Sequence, residues 1–214
     1  MARNGCSWWK ERSERVAKAK RRRAEVFLNI PYDKKFERLF IAYVAGLTAL
    51  GLVPRATLEI PDSSRRLDKI LGIIRRCKYS VHDLSRVELD RHKPRTPRFN
   101  MPFELGLTVA AAARKSWYVF EAVDHRLEKS LNDLNGTDPK IHSGTVEGVL
   151  SGLCDSFVRE VRRPTMSQMM KIYRSLRRQQ VEILKQAGAN SLYRPRAFRD
   201  ICVAASALAS KIVI

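Results

Sequence analysis

Val26-Phe27-Leu28-Asn29-Ile30, followed at once by Pro31-Tyr32-Asp33, decides how this chain is read. The first part is short and rich in β-branched and aromatic side chains, and a proline with turn formers stops it, so it makes a strand. Downstream, Phe36, Leu39, Phe40, Tyr43, Val44 and Leu47 recur at helical spacing until Gly51 ends the run. Leu52 to Leu58 returns to strand composition, Ser63-Ser64 introduces a helix from about Arg65 to Arg76, and Tyr79 to Leu84 is a third strand. A polar loop from Ser85 to Asn100 leads into a helix over Met101 to Arg114, and Trp117 to Phe120 is a fourth strand. Strands alternating with helices in this way build a parallel sheet covered on both faces. The expected fold is α/β: a flavodoxin-like doubly wound parallel sheet of four to five strands with a helical C-terminal extension.

Three regions follow from this pattern: a basic N-terminal extension over residues 1–24, an α/β domain over 25–145 and a helical region over 146–214. The last has helical segments near Val146 to Val161, Ser167 to Gln186 and Pro195 to Ile212. Met166, Met169, Met170, Ile172, Tyr173, Leu176, Val181, Ile183 and Leu184 make an amphipathic surface that needs a partner, either the sheet domain or a second protomer. Gly144, Gly148 and Gly152 fall every fourth residue, a spacing that lets helices approach closely.

The 214 residues carry a formal net charge of +19, which first suggests nucleic acid. Divided along the chain, that charge is +7 for Met1 to Ala24, +3 for Glu25 to Asp83, +2 for Leu84 to Thr145 and +7 for Val146 to Ile214. The flanks are basic and the centre is not, so a nucleic-acid role through the flanks is not favoured. Cys6, Cys77, Cys154 and Cys202 form no C-x-x-C pair, no secretory segment opens the chain, and no apolar run approaches the ~20 residues of a bilayer span. A cytoplasmic protein without membrane contact is expected.

Several chemistries lack their motifs. Gly46 to Gly51 has the glycine spacing of a phosphate loop, but Leu52-Val53 stands where Lys-Ser/Thr is required. There is no G-x-S-x-G elbow. His82, His92, His125 and His142 are too dispersed for a recognisable zinc site, so no metal is expected.

In a doubly wound sheet the ligand lies beyond the carboxyl ends of the strands. The residues there are Asn29, Pro31, Tyr32 and Asp33, then Glu59 to Ser64, then Asp83 and Ser85, and finally Arg98, Asn100 and Glu104. Asn100 suits an N-cap and Pro102 a first helical turn, which sets Glu104 early in its helix among Met101, Phe103 and Leu105. An acidic residue there favours the helix dipole. A carboxylate held among apolar groups at such a mouth also serves as a nucleophile or stabilises a developing cation.

Phe103-Glu104-Leu105-Gly106-Leu107, opening a helix after a strand that ends in Asp83-Leu84, resembles the E-x-G-x-A signature of nucleoside 2-deoxyribosyltransferases, whose topology is similar to that of TIR-like NAD-cleaving domains. Ile30-Pro31-Tyr32 is similar to their first loop, and Pro97 to Leu107 with Ser130 to Pro139 resembles uncharacterised bacterial TIR-like proteins. The resemblance implies Glu104 as the catalytic carboxylate, Asp83 as a base-side or ribose-side partner and Tyr32 in the sugar pocket. Arg98-Phe99-Asn100-Met101 replaces the usual Asp-x-Gly-Thr, which argues against transfer to a second base.

Cleavage of an N-glycosidic bond builds positive charge on the ribose, which one carboxylate can stabilise when the leaving group is itself a cation, as nicotinamide is in NAD. Arg86, Arg91, Lys93, Arg95 and Arg98 are placed to meet phosphates. The expected function is thus a nucleotide N-glycosidase that takes NAD as substrate and needs no cofactor, with antiviral defence as the setting the resemblance implies. A non-catalytic nucleotide-binding or signalling module and a nucleoside deoxyribosyltransferase are the alternatives, and homo-oligomers remain open.

Overall fold

The computed structural model describes residues 23–60, 65–86, 93, 97–111, 116–134, 136–160 and 162–213. Most of the basic N-terminal extension, and Arg91, His92 and Arg95 of the polar loop, lie outside them. Five strands form one parallel sheet: β1 (Glu25–Asn29), β2 (Val53–Arg55), β3 (Tyr79–Asp83), β4 (Ser116–Glu121) and β5 (Lys140–Ile141). Their order is β2-β1-β3-β4-β5, the flavodoxin-like arrangement, with the topological switch between β1 and β3. Register pairs Val26 with Tyr79, and Asn29 with His82.

Helices α1 (Glu37–Ala49) and α5 (Val146–Ser156) cover one face, and α2 (Arg66–Arg76) and α3 (Asn100–Ala111) the other. Strand alternation sorts the side chains. Val26, Leu28 and Val81 join the core with Phe40, Val44 and Val149, whereas Phe27 packs with Ile70, Ile73 and Ile74 of α2. A short helix α4 (Arg126–Ser130) follows β4, and the chain ends in α6 (Met166–Ala187) and α7 (Pro195–Ile212).

Helix α1 is buried from Leu39 to Ala49 without interruption. Its inner side meets the sheet and α5, and its outer side meets α6 and α7. That double cover explains why its sequence, Phe-Ile-Ala-Tyr-Val-Ala-Gly-Leu, has no polar stripe. The amphipathic surface of α6 finds its partner here: Met169, Ile172, Tyr173, Leu176 and Ile183 are buried, while Val181 is left facing out.

The structure differs from the sequence reading locally in three places. Strand β2 stops at Arg55, because the chain turns into a 3-10 helix at Thr57–Glu59 closed by Glu59 accepting from the Ala56 N–H. Helix α5 ends at Ser156 rather than Val161. Two of the three glycines let α5 approach the sheet edge and the turn after β5, whereas Gly144 precedes the helix with a left-handed φ of 66° and no close neighbour. A Cβ on Gly148 would fall 2.4 Å from the His142 carbonyl oxygen, and one on Gly152 would fall 2.7 Å from the Phe120 ring.

Candidate active site

At the carboxyl end of β1 the backbone turns through Ile30 and Pro31 into Tyr32 and Asp33. The Tyr32 hydroxyl lies 3.2 Å from Thr57 Oγ1, and its ring tilts against Tyr193, 5.4 Å between centroids. Tyr193, from the segment joining α6 to α7, donates its hydroxyl hydrogen to the Asp33 carbonyl at 2.8 Å. Asp33 accepts from the Phe36 N–H at 3.1 Å and so orients the entry to α1. Its other oxygen receives Arg98 at 3.2 Å and Arg86 at 3.4 Å. Two of the loop cations expected to meet phosphates are therefore gathered at the mouth on one carboxylate.

Asn29 does not present its amide hydrogens to a ligand. They go to His82 Nδ1 at 2.9 Å and to the Met101 carbonyl at 2.8 Å. This buried clamp ties β1, β3 and the first turn of α3 together, and α3 carries Glu104. The His82 imidazole, on the same face of the sheet, is pushed down to about 3 by burial, so it is neutral. With Nδ1 accepting, its proton sits on Nε2, which has no partner among the described residues.

Helix α3 begins at Asn100 itself, and the Phe103 N–H donates to the Phe99 carbonyl at 2.9 Å. Asn100 is thus the first helical residue rather than the expected outer cap, and it is exposed. Glu104 then falls beyond the first turn, where the helix dipole has faded. Its carboxylate makes no hydrogen bond or ion pair to any described residue. Burial raises its pKa to about 7, and the positive charge of Arg66, the first residue of α2, opposes that rise. The same pair acts on Tyr32, whose hydroxyl is pushed well up, first by burial and then by the Glu104 charge. Glu104, Tyr32 and Arg66 consequently share one electrostatic environment at the switch between β1 and β3. Phe99 and Phe103 stand exposed beside it, at 64% and 55%.

Asp83 and Ser85 belong to a different cluster. Asp83 shares strand parity with Val81, and Val81 packs in the α1 core. It accepts from Tyr43 Oη of α1 at 2.6 Å, from the Ser85 N–H at 2.9 Å and from Ser85 Oγ. His142 Nε2 lies 3.1 Å from Asp83 Oδ2, at an angle outside that of a formed hydrogen bond, and both side chains are fully buried. The Gly144 N–H donates to His142 Nδ1 at 3.0 Å, which leaves the ring proton on Nε2, facing the carboxylate. Asp83 is therefore enclosed by donors from α1, the β3 loop and the turn after β5.

Sequence reasoning did not assign His142, Thr57, Tyr193 or Arg66. Arg66 was the most accessible of these, since it opens the next α-helix after the second strand's carboxyl end. Among the described residues, no group of three or more His, Cys, Asp or Glu side chains is arranged to hold a metal ion. No protein-family model matches the sequence, and no curated protein does.

Proposed function

We propose that the Glu104 mouth cleaves the N-glycosidic bond of a nucleotide, with NAD as the substrate that suits it best and water as the acceptor of the ribosyl group. The observation that carries this reading is a carboxylate, raised to about 7 by burial and without a partner among the described residues, at the switch point of a doubly wound sheet. A carboxylate without donors has its full charge available to an oxocarbenium-like ribose, by contact or by a transient covalent bond at the anomeric carbon.

The alternative second carboxylates are both occupied. Asp83 is enclosed by Tyr43, Ser85 and His142, and Asp33 is paired with Arg86 and Arg98. With no free general acid beside Glu104 among the described residues, a leaving group that departs as a neutral molecule from a cation is favoured, which describes nicotinamide. Arg66, Arg86 and Arg98 supply positive charge for the pyrophosphate, and Phe99 and Phe103 offer exposed rings for stacking on a base. In this reading Asp83 and Asn29 position the site, and the reaction belongs in the cytoplasm.

Incubation of the purified protein with NAD, following nicotinamide release, tests the proposal. Glu104→Gln is expected to lower the rate by about 10²–10³-fold, and the wild-type kcat/KM is expected to rise with pH through about 7 as the carboxylate forms. Full nicotinamide release by Glu104→Gln overturns the reading.

A further inference from the structure

At the opposite end of the sheet, where parallel strands begin, a cleft of about 1090 Å³ opens between the starts of β1 and β3 and the segment after α5. Strand β1 separates it from the Glu104 mouth by roughly 16 Å, at about 3.3 Å per residue. Six cations line the cleft, Arg23, Arg55, Arg76, Lys78, Arg159 and Arg162, against two carboxylates, Glu25 and Glu160.

Both carboxylates are already held. Arg55 pairs with Glu25 and Glu59. Lys78 lies 3.3 Å from Glu160 and 4.5 Å from the centroid of the Tyr79 ring, and the Tyr79 hydroxyl also donates to Glu160. Four guanidinium groups are left without an anion among the described residues. Arg23 donates only to the neutral Ser206 hydroxyl, at 2.7 Å. The stem of Arg162 lies across Gly51, 3.2 Å from where a Cβ would be, and its Nη1 is buried without an acceptor. A desolvated donor without a partner, on a residue that lines a cleft with an excess of positive charge, is costly unless an anion completes it.

We propose that this cleft binds closely spaced phosphate groups. Guanidinium forks match phosphate oxygens in pairs, and four guanidiniums lining one cleft suit a phosphodiester or polyphosphate chain, each phosphate of which offers more than one oxygen to a fork. The sequence leads there too, because Lys18-Ala19-Lys20-Arg21-Arg22 runs directly into Arg23 on the cleft's rim. The site goes beyond the Glu104 reading and does not depend on it.

Two probes separate the sources of such a ligand: inorganic tripolyphosphate, titrated calorimetrically, and a fluorescent twelve-residue oligothymidylate, followed by polarisation, both with the full chain at about 100 mM salt. Binding of tripolyphosphate that displaces the oligonucleotide supports a nucleic-acid strand as the source. Binding of tripolyphosphate alone supports a small polyphosphate. In either case Arg159→Gln/Arg162→Gln is expected to weaken binding at least tenfold, and the rim variant Arg159→Gln about threefold with unchanged thermal stability. Arg174→Gln/Arg178→Gln, which removes the same charge from exposed positions of α6, is expected to weaken binding less than twofold, and Glu104→Gln to leave it unchanged. Equal losses in the two double variants, or no binding of either probe, overturn the proposal.

Discussion

Two carboxylates stand near the carboxyl end of β3, one on each face of the sheet, and their surroundings are opposite. Asp83 is fully buried and accepts from Tyr43 and from the Ser85 backbone and hydroxyl, with the imidazole of His142 3.1 Å away. Glu104 is only partly buried, yet it has no donor among the described residues and its pKa rises to about 7. Burial alone penalises a charge, and burial among donors does not. The first arrangement holds a fold together, whereas the second leaves a charge available for chemistry. Proximity in sequence to a strand's end selects both residues and cannot tell them apart.

The sharpest way to break this contrast is to remove the well-partnered carboxylate. Asp83→Ala leaves the Tyr43 hydroxyl and Ser85 buried without their acceptor and removes the charge beside His142, and is expected to cost about 3–5 kcal/mol in urea denaturation. A loss below about 1 kcal/mol would mean that the network is not structural.

Asn29→Ala comes next. It removes two buried hydrogen bonds, expected at about 2 kcal/mol in total, and releases the first turn of α3 from the sheet. Because that turn sets the position of Glu104, nicotinamide release should fall through kcat more than through KM. An unchanged kcat would show that the clamp does not position Glu104.

His82 gives a pH test on the Glu104 face. Its folded pKa, about 3, is below the ordinary 6.5, so between those values the unfolded chain binds a proton that the folded chain refuses. Stability is therefore complete above about 6.5 and is lost as pH falls toward 3, by up to about 1.4 kcal/mol per pH unit. The slope of urea midpoint against pH should flatten in His82→Phe, and an undiminished slope would assign the acid sensitivity elsewhere.

The smallest effect has the opposite sign. Glu104 has a raised folded pKa, so its ionisation destabilises the fold as pH rises from about 4.5 through about 7. Glu104→Gln should consequently melt at a higher temperature than the wild type at pH 8, with the difference vanishing near pH 4. A gain in stability together with a loss of turnover would mark a residue kept for function at a cost to the fold.

The parallel α/β architecture and the helices on both faces were legible in the sequence because the strands and helices alternate along it and most of them carry their own period. Strand β5 was not, since Lys140–Ile141 is too short to show any alternation. His142 was missed for the same reason: only once that strand is placed does the residue after it come to rest on Asp83. The apolar setting of Glu104 was legible too, from Met101, Phe103 and Leu105 around it. For Asp83, Ser85 and Asn29 the sequence shows only a position at or after a strand's end, which says nothing about the face taken; parity with Val81 puts Asp83 on the α1 face, and parity with Phe27 puts Asn29 on the other.

Helix α1 has no side that tolerates water, because the sheet takes one flank and the α6–α7 hairpin the other. A boundary drawn near residue 145 is thus a boundary of pattern and not of folding. Residues 25–145 expressed alone would uncover a greasy helix and aggregate, and the whole chain is expected to melt in a single cooperative step.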